Sequence, residues 1–356
     1  MNSAHSEFAE RMLHWQLAHG RQHLPWQQTR DPYRVWLSEI MLQQTQVTTV
    51  LGYYARFLER FPDVQALAEA HPDEVMALWS GLGYYSRARN LHRCAQQVVA
   101  QHGGAFPRTA EELARLPGIG RSTAGAIAAF CHGQRVPILD ANVRRVLTRL
   151  LGFGADLSST SNERILWMHA EALLPHTDLQ TTMPRYTQAL MDLGASLCAP
   201  RNPSCSQCPV QDLCVARQEG APERYPVKTR NFLRRAQSWW LLVLRDAGGR
   251  IWLQRRPARG IWAGLHCVPA FSSRAELMVA LREHASHAAP RELAPFVHVL
   301  THRDLHLHPV LAVVDEPQLQ REVHAAKGDA GAWFTVQQSS ALGLPAPVRR
   351  LLYGLV

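Results

Sequence analysis

Apolar residues recur at helical spacing along most of residues 5–220, and prolines and glycines interrupt the pattern at intervals. Two of these interruptions, Asp31-Pro32 and His71-Pro72, combine a capping side chain with a first-turn proline and therefore predict helix starts. An apolar stripe before residue 20 predicts a first amphipathic helix. Further helices are predicted at 84–101, 121–132, 140–150, 162–174 and 183–194.

The pattern changes after residue 220. Segment 221–237 is basic, contains two prolines and has little periodicity, so it is interpreted as an exposed linker. Beyond it, short apolar runs alternate with turn signals, and the turn 246–249 predicts a β-hairpin. The chain is therefore predicted to be multidomain, with a mostly helical domain over 1–220 and an α+β domain over 238–356. Other strands are predicted at 296–300, 305–314 and 332–336, and other helices near 274–286 and from 346.

Length and composition are typical of a globular protein with sizeable cores. The chain has 356 residues, of which 46% are hydrophobic and 19% charged. No apolar run approaches the roughly 20 residues that span a bilayer, and the amino terminus lacks the basic and then apolar order of a secretory signal. Four of the seven cysteines lie in one loop and the others are scattered, unlike a disulfide framework. We therefore expect a cytoplasmic protein without a membrane segment.

The charge is positive and unevenly placed. Residues 1–220 carry 20 Arg against 19 Asp and Glu, whereas residues 221–356 carry 18 Lys and Arg against 10 Asp and Glu. The total of +9 suits a phosphate-bearing partner, although a soluble protein of high pI has the same charge. Residues 1–220 contain no lysine, because the two lysines are Lys228 and Lys327.

The four clustered cysteines follow the spacing C-x6-C-x2-C-x5-C. They are Cys198, Cys205, Cys208 and Cys214. Zinc is one alternative, but structural zinc sites usually pair two short C-x2-4-C segments across a longer arm. One x2 pair flanked by x6 and x5 favours a compact [4Fe–4S] cluster, which also takes four thiolates. Because protein fills every ligand position, the predicted role of this cluster is structural.

A tight turn, 117–120, follows the predicted end of one helix and precedes another that starts at Arg121. Glycines in the turn allow a close approach to the backbone amides. Those amides and the positive end of the next helix form an anion site, which is how a helix-hairpin-helix grips a DNA phosphate without reading sequence. A plain helix connection is the alternative.

Two carboxyl groups occupy positions suited to acid and anion chemistry. Asp140 precedes a helix start, where an N-cap is the ordinary role. Glu39 lies among apolar neighbours on a predicted helix, where desolvation would keep it protonated near neutral pH unless a partner satisfies it. Cleavage at an anomeric carbon commonly needs one carboxyl as acid and another to stabilise a cationic sugar. Together with the hairpin and the cysteine loop, this pair predicts a DNA repair enzyme.

These features resemble the helix-hairpin-helix DNA glycosylase superfamily, and more closely the MutY family of adenine DNA glycosylases. The resemblance covers nearly the whole chain. The matching stretches are 24–26, 36–47, 81–91, 116–127, 138–147, 191–195 and the cysteine loop 198–214. It implies a [4Fe–4S] cofactor and removal of adenine mispaired with 8-oxoguanine or guanine in duplex DNA, by an enzyme that flips the base out of the stack.

The resemblance also implies residue roles. Glu39 corresponds to the acid that protonates adenine N7, Asp140 to the carboxylate that stabilises the oxocarbenium ion, and Asn142 to the residue that orients this centre. The residues implied in substrate or DNA binding are Leu24, Trp26, Leu42, Gln44, Thr45, Tyr84, Gly118, Gly120, Ser122, Gln188, Thr301 and His302. Within this set, Gln44 and Tyr84 correspond to a wedge inserted beside the lesion, and Leu42 and Trp26 to walls of the adenine pocket.

Bifunctional relatives of the endonuclease III type carry a lysine just after the hairpin, where this chain has Ser122. Since residues 1–220 lack lysine, no side-chain amine there can form an imine, which predicts a monofunctional glycosylase. A relative that excises damaged pyrimidines and a non-enzymatic iron–sulfur DNA-binding factor are the alternatives. The latter has no need for Glu39. We expect a bacterial, nucleoid-associated monomer.

Residues 238–356 resemble the Nudix-like domain of this family, but the catalytic Nudix motif is absent. Thr301 and His302 align with the lesion-reading loop, whereas Leu300 stands where the family typically has an aromatic residue. Ala141 replaces a usual glycine beside Asp140, and we expect the site to tolerate it. Leu300 puts the strength of the lesion preference in question.

Overall fold

The computed structural model describes residues 3–229, 234–284, 289–314 and 331–355. The chain folds into two units, each of which is built from segments distant in sequence. The first unit combines Met1–Ala68 with Arg93–Asn231, and the second combines Glu69–His92 with Phe232–Val356. No described helix has both the length and the apolar character needed to cross a membrane.

Helices make up nearly all the regular structure before residue 235. They are α1 (Ser3–His19), α2 (Pro32–Leu42), α3 (Val47–Arg60), α4 (Val64–Glu69), α5 (Pro72–Trp79), α6 (Ser86–His102), α7 (Ala110–Leu113), α8 (Arg121–His132), α9 (Ala141–Leu151), α10 (Thr160–Ala172), α11 (Leu179–Ala195) and α12 (Val215–Gln218). Short 3-10 turns lie at Pro25–Gln27, Cys205–Gln207 and Pro222–Arg224.

The two helix starts predicted from proline pairs are confirmed. The Asp31 side chain accepts from Tyr33 N at 2.9 Å, which satisfies one of the amides left open at the start of α2. His71 Nδ1 accepts from Asp73 N at 3.3 Å at the start of α5. Each proline occupies the first helical position, where no backbone donor is needed.

The core of the first unit lies where α11 packs against α1, α8 and α9. It is apolar, and its fully buried members include Met12, Ala129, Val143, Leu166, Met183, Ala189 and Leu193. Gly194 brings α11 close to the start of α9, because an added Cβ would lie 2.7 Å from Asn142 Cβ. This close packing positions the segment that carries Asp140 and Asn142.

The second unit contains one mixed sheet. Its strands are β1 (Arg235–Asp246), β2 (Ile251–Arg255), β3 (His266–Cys267), β4 (Ala270–Phe271), β5 (Arg291–Glu292), β6 (Phe296–Val299), β7 (Arg303–Val314) and β8 (Ala332–Phe334). The order is β3-β2-β1-β7-β5, with β4 beside β1, β6 beside β7 and β8 beside β2. Helices α13 (Arg274–His284), α14 (Val336–Ser339) and α15 (Ala346–Tyr353) complete the unit.

The longest pairing in this sheet is parallel. β1 and β7 run side by side from Arg235↔Arg303 to Asp246↔Val314. The predicted hairpin is confirmed, because β1 and β2 are antiparallel with Arg245 opposite Ile251. The strand predicted to reach residue 336 ends two residues earlier, since a capping box at Thr335 starts a short helix there.

Segment 69–92 joins the second unit through specific bonds. Ser80 Oγ and Tyr85 Oη both donate to Leu344 O, each at 2.9 Å. Arg255 Nη2 contacts both carboxylate oxygens of Asp73, at 2.8 and 2.7 Å. This unit therefore includes a helix and a loop that lie far away in the sequence from its sheet.

Candidate active site and DNA-binding surfaces

A cleft of about 1110 Å³ in the first unit gathers most of the predicted site residues. The predicted residues that line it are Leu24, Trp26, Glu39, Leu42, Gln44, Thr45, Ser122, Asp140, Asn142 and Gln188. They come from segments separated by more than a hundred residues, so the fold assembles the site. The predicted residues outside its lining are Tyr84, Gly118, Gly120, Thr301, His302 and the four loop cysteines.

Glu39 projects from α2 into this cleft. No hydrogen-bond donor to its carboxyl group is found among the described residues. Burial raises the pKa of Glu39 to about 8, and the nearby charge of Asp140 adds to the shift. At neutral pH the side chain is therefore mostly a neutral acid that holds a proton.

Asp140 caps α9 and differs from Glu39 in having partners. Its Oδ1 accepts from Val143 N at 2.7 Å. Burial raises the pKa of Asp140, whereas the backbone amides of Val143 and Asn142 and the charges of Arg145 and Arg144 oppose that rise. Hydrogen bonds to the charged form favour the anion. The two carboxyl groups share one cleft, and burial raises the pKa of both, but only Asp140 has amide donors and positive charges that oppose the rise.

Asn142 is held by Arg145, a residue that the sequence did not single out. Arg145 Nη2 donates to Asn142 Oδ1 at 2.9 Å and to Gly194 O at 2.6 Å, and its Nε donates to Cys198 O at 2.8 Å. One buried guanidinium therefore ties the start of α9 to the end of α11 and to the cysteine loop. An arginine whose partners lie some fifty residues away in the chain has no local signature, which explains the omission.

The hairpin lies at the start of α8. Gly118 has φ of 78°, a conformation that favours glycine, whereas Gly120 has φ of −83° and open space at its Cβ position. The fold requires the first glycine, and the second leaves room for a ligand at the amides of the turn. Ser122 Oγ accepts from Leu139 N at 3.0 Å, which joins the hairpin to the residue before Asp140.

Ala141 is the first residue of α9 and is absent from the described residues that have positive φ. Alanine therefore causes no left-handed strain beside Asp140, and the tolerance of the site for alanine stays a prediction. Trp26 is buried in the cleft wall and packs edge-on against Tyr54, with ring centroids 5.2 Å apart.

The two predicted wedge residues share an unusual backbone. Gln44 has φ of 56° in the first unit, and Tyr84 has φ of 49° in the second. Only five described non-glycine residues have positive φ, and such strain, of order 1–3 kcal/mol, concentrates at functional positions. The Tyr84 side chain is 42% exposed, which suits a residue that contacts a ligand from solution.

In the second unit, Tyr84 Oη lies 2.9 Å from Thr301 Oγ1, so the two hydroxyl groups share a hydrogen bond. The turn that carries Thr301 and His302 is closed by Leu300 N donating to Arg303 O at 2.7 Å. Arg235 N donates to His302 O at 3.2 Å. The structure thus brings together a residue that corresponds to the wedge and one that corresponds to the lesion-reading loop, 217 residues apart in the chain.

The cysteine loop fits an iron–sulfur cluster. All four thiols are free of disulfides. Burial raises the pKa of Cys208 to about 11, and the other three thiols of the loop add to this shift, so the four lie within electrostatic range of one another. Arg149 Nη1 lies 3.3 Å from Cys198 Sγ, where it suits an anionic cluster. No three described His, Cys, Asp or Glu side chains converge closely enough to share one metal ion.

The chain matches three family models. Residues 37–170 match the HhH-GPD superfamily base excision DNA repair protein, residues 198–214 the iron–sulfur binding domain of endonuclease III, and residues 240–353 the NUDIX domain. The fold class predicted from the sequence is confirmed. The class is a helix-hairpin-helix base excision repair protein that carries a [4Fe–4S] cluster at its cysteine loop, residues 198–214.

The adenine DNA glycosylase of Buchnera aphidicola subsp. Acyrthosiphon pisum (strain APS) is 35% identical over 348 residues, covering 97% of this chain and 96% of the relative. The human adenine DNA glycosylase is 48% identical over 210 residues, covering 56% of this chain and 38% of the human protein. A thermostable thymine-DNA glycosylase structure has a TM-score of 0.54 at 28% identity, covering 61% of this chain and 98% of that chain.

The chain therefore belongs to the adenine DNA glycosylase family. It is a hydrolase of base excision repair that removes adenine from DNA.

Proposed function

We propose that this enzyme excises adenine mispaired with 8-oxoguanine, and also with guanine, from duplex DNA, and that it acts as a monomer. The adenine leaves the base stack and enters the cleft of the first unit, a step that costs a few kcal/mol. The observation that carries the proposal is the pair of carboxyl groups in one cleft, one with a pKa raised to about 8 and the other held by N-cap amides.

In this proposal Glu39 donates its proton to N7 of the flipped adenine as the glycosidic bond breaks. Protonation makes the base a neutral leaving group, and the electron pair of the broken bond goes to the purine. The sugar becomes an oxocarbenium ion, which the Asp140 carboxylate stabilises from within the same cleft. Asn142, fixed by Arg145, orients this end of the site. Water is the final acceptor: its oxygen bonds to the sugar cation and it loses one proton, which replaces the proton that Glu39 gave to adenine.

We also propose that the enzyme has no lysine-dependent lyase activity. The position after the hairpin is Ser122, whose hydroxyl oxygen already accepts from Leu139 N. Residues 1–220 contain no lysine, so no side-chain amine of this segment can attack the deoxyribose carbon.

Recognition of the base opposite adenine is proposed for the second unit. Tyr84 and Thr301 share a hydrogen bond there, and His302 lies beside them on an exposed turn. Leu300 stands where an aromatic wedge is expected, so we propose that Tyr84 carries the stacking contact.

Single-turnover cleavage of four duplexes tests the proposal, with adenine opposite 8-oxoguanine, guanine, cytosine or thymine and alkali to reveal abasic sites. We expect fastest release opposite 8-oxoguanine, slower release opposite guanine and little with the pyrimidines. Equal rates on all four duplexes would refute the proposed lesion preference. Borohydride in parallel reactions should trap no stoichiometric covalent adduct, and such an adduct would refute the absence of lyase activity.

A further inference from the structure

Gln188 lines the cleft, and its side-chain amide is hydrogen-bonded to Asp192, which lies outside the cleft lining. Gln188 Nε2 donates to Asp192 Oδ1 at 2.9 Å, one turn further along α11. Asp192 is only 3% exposed. Arg21 balances its charge, because Arg21 Nε donates to Oδ1 at 2.6 Å and Arg21 N donates to Oδ2 at 3.0 Å.

This arrangement fixes which end of the Gln188 amide faces Asp192. An ionised carboxylate has no proton to donate, so only the NH2 end of the amide can turn toward Asp192. The opposite end, Oε1, then points away from Asp192. No described residue donates a hydrogen bond to Gln188 Oε1, and so the oxygen is left as an acceptor at a cleft-lining position.

We propose that Asp192 is a positioning residue that sets the specificity of the cleft for a 6-amino purine. By holding the Gln188 amide in one orientation, it makes the cleft present an acceptor to the exocyclic group of the flipped base. The amine of adenine donates to that oxygen, whereas the 6-oxo group of hypoxanthine or guanine meets it as a second acceptor. This inference rests on the proposed function, in that the flipped base must occupy this cleft.

The ion pair with Arg21 links this orientation to the wall of the site. Arg21 lies in the segment between α1 and the turn that carries Leu24 and Trp26, and all three residues line the cleft. Asp192 therefore binds one residue of the cleft wall, Arg21, and also fixes the side chain of Gln188. A neutral amide in place of Asp192 could donate as well as accept, so the Gln188 amide would no longer have a single favoured orientation.

The experiment compares single-turnover release of adenine and hypoxanthine, each opposite 8-oxoguanine, by the wild-type holoenzyme and by Asp192→Asn, Gln188→Leu and the double variant. We expect Asp192→Asn to lower the ratio of adenine to hypoxanthine rates about fivefold to tenfold, as for one hydrogen bond. Gln188→Leu should lower it similarly. In the Gln188→Leu background, Asp192→Asn should change the ratio less than about twofold, because both changes remove the same contact.

Two controls separate this role from a general structural one. Glu171→Gln changes an exposed acid on a different helix and should leave the ratio unchanged. Iron–sulfur absorbance and circular dichroism report whether each variant is folded, and if Asp192→Asn fails to fold, Gln188→Leu still tests the acceptor. An unchanged ratio in folded Asp192→Asn, or in Gln188→Leu, overturns the inference. It leaves the proposed function intact if Glu39→Gln still loses adenine release, whereas full activity of Glu39→Gln would refute the proposed function itself.

Discussion

The cleft of the first unit and the 300–303 turn of the second unit hold their polar side chains in opposite ways. In the cleft, desolvation sets the chemistry: Glu39 has no described hydrogen-bond donor and its pKa rises to about 8. On the turn, Thr301 and His302 are exposed. An acid whose pKa is shifted by burial can change a reaction rate by orders of magnitude, whereas a single exposed hydrogen bond changes selectivity by a modest factor. Substitutions in the two regions should therefore differ in size and in kind.

The largest effect is expected for Glu39→Gln. The amide is close in shape to the protonated acid but cannot give up a proton, so adenine release should fall on the order of 10²–10⁴-fold. Single-turnover rates and DNA affinity are measured on the same preparation. Affinity should stay within about threefold, since the proposed role lies in the bond-breaking step. A rate within about tenfold of wild type would disprove the assignment of the acid.

The pH dependence of the cleft follows from the same shift. In the proposed mechanism the active form holds a proton on Glu39, and the fraction of this form falls as pH rises through the pKa of about 8. Above that pH, kcat/KM should fall about tenfold per unit. The proposed role of Asp140 needs its ionised form, so the rate should also fall in acid. This fall should begin above pH 3.8, because the pKa of Asp140 is raised from that value.

The residual rate of Glu39→Gln provides the matched control. Its pH profile should lack the fall at high pH (the alkaline limb) and keep the fall at low pH (the acid limb). An alkaline limb that persists in that variant would show that another group loses the essential proton. Thr301 variants should keep both limbs, because Thr301 belongs to the second unit.

The sequence predicted the parts of the site that lie in contiguous motifs. Glu39 and Asp140 were expected to form a pair, and they line one cleft. The N-cap interpretation of Asp140 also holds, since its Oδ1 accepts from Val143 N. Capping is local, so a few residues suffice to predict it.

The features of the fold and the site that the sequence did not predict depend on contacts between residues far apart in the chain. Arg21 and Asp192 are 171 residues apart and form an ion pair only after α1 and α11 pack. The parallel β1–β7 pairing and the inclusion of 69–92 in the second unit leave no periodic signal, because neither is a property of one segment. An acidic residue inside an apolar helix indicates that Asp192 needs a partner, but the sequence does not identify that partner as Arg21.

A smaller effect is expected for the hydrogen bond between Tyr84 and Thr301. Thr301→Val removes the hydroxyl at nearly constant volume, so the exposed Tyr84 ring loses one constraint. The ratio of rates on adenine opposite 8-oxoguanine and opposite guanine should fall about threefold to tenfold.

Thr301→Ser is the matched control for that change, since it keeps the hydroxyl and should keep the ratio. Tyr84→Phe removes the other partner, and adding it to Thr301→Val should cost little more, because the shared bond is already lost. Fully multiplicative effects of the two substitutions would mean that the residues act independently on the DNA.

The smallest effect is expected for Asp73→Asn, which weakens the ion pair between α5 and β2. A single guanidinium nitrogen of Arg255 contacts both carboxylate oxygens, and Arg255 is 37% exposed, so the pair contributes about 1 kcal/mol or less. The bonds from Ser80 and Tyr85 to Leu344 O still hold the segment that carries Tyr84. Lesion preference should therefore fall less than about threefold.

Glu292→Gln is the matched control for Asp73→Asn, because it removes an exposed ion pair with Arg274 elsewhere in the second unit and should change nothing. Comparison of the two variants distinguishes an effect of losing any negative charge from an effect of weaker packing of α5. If Asp73→Asn lowered the preference as much as Thr301→Val, docking of α5 would be what positions the Tyr84 ring. The exposed turn would then depend on packing beneath it, as the cleft does. The two regions would differ only in the chemistry of their side chains.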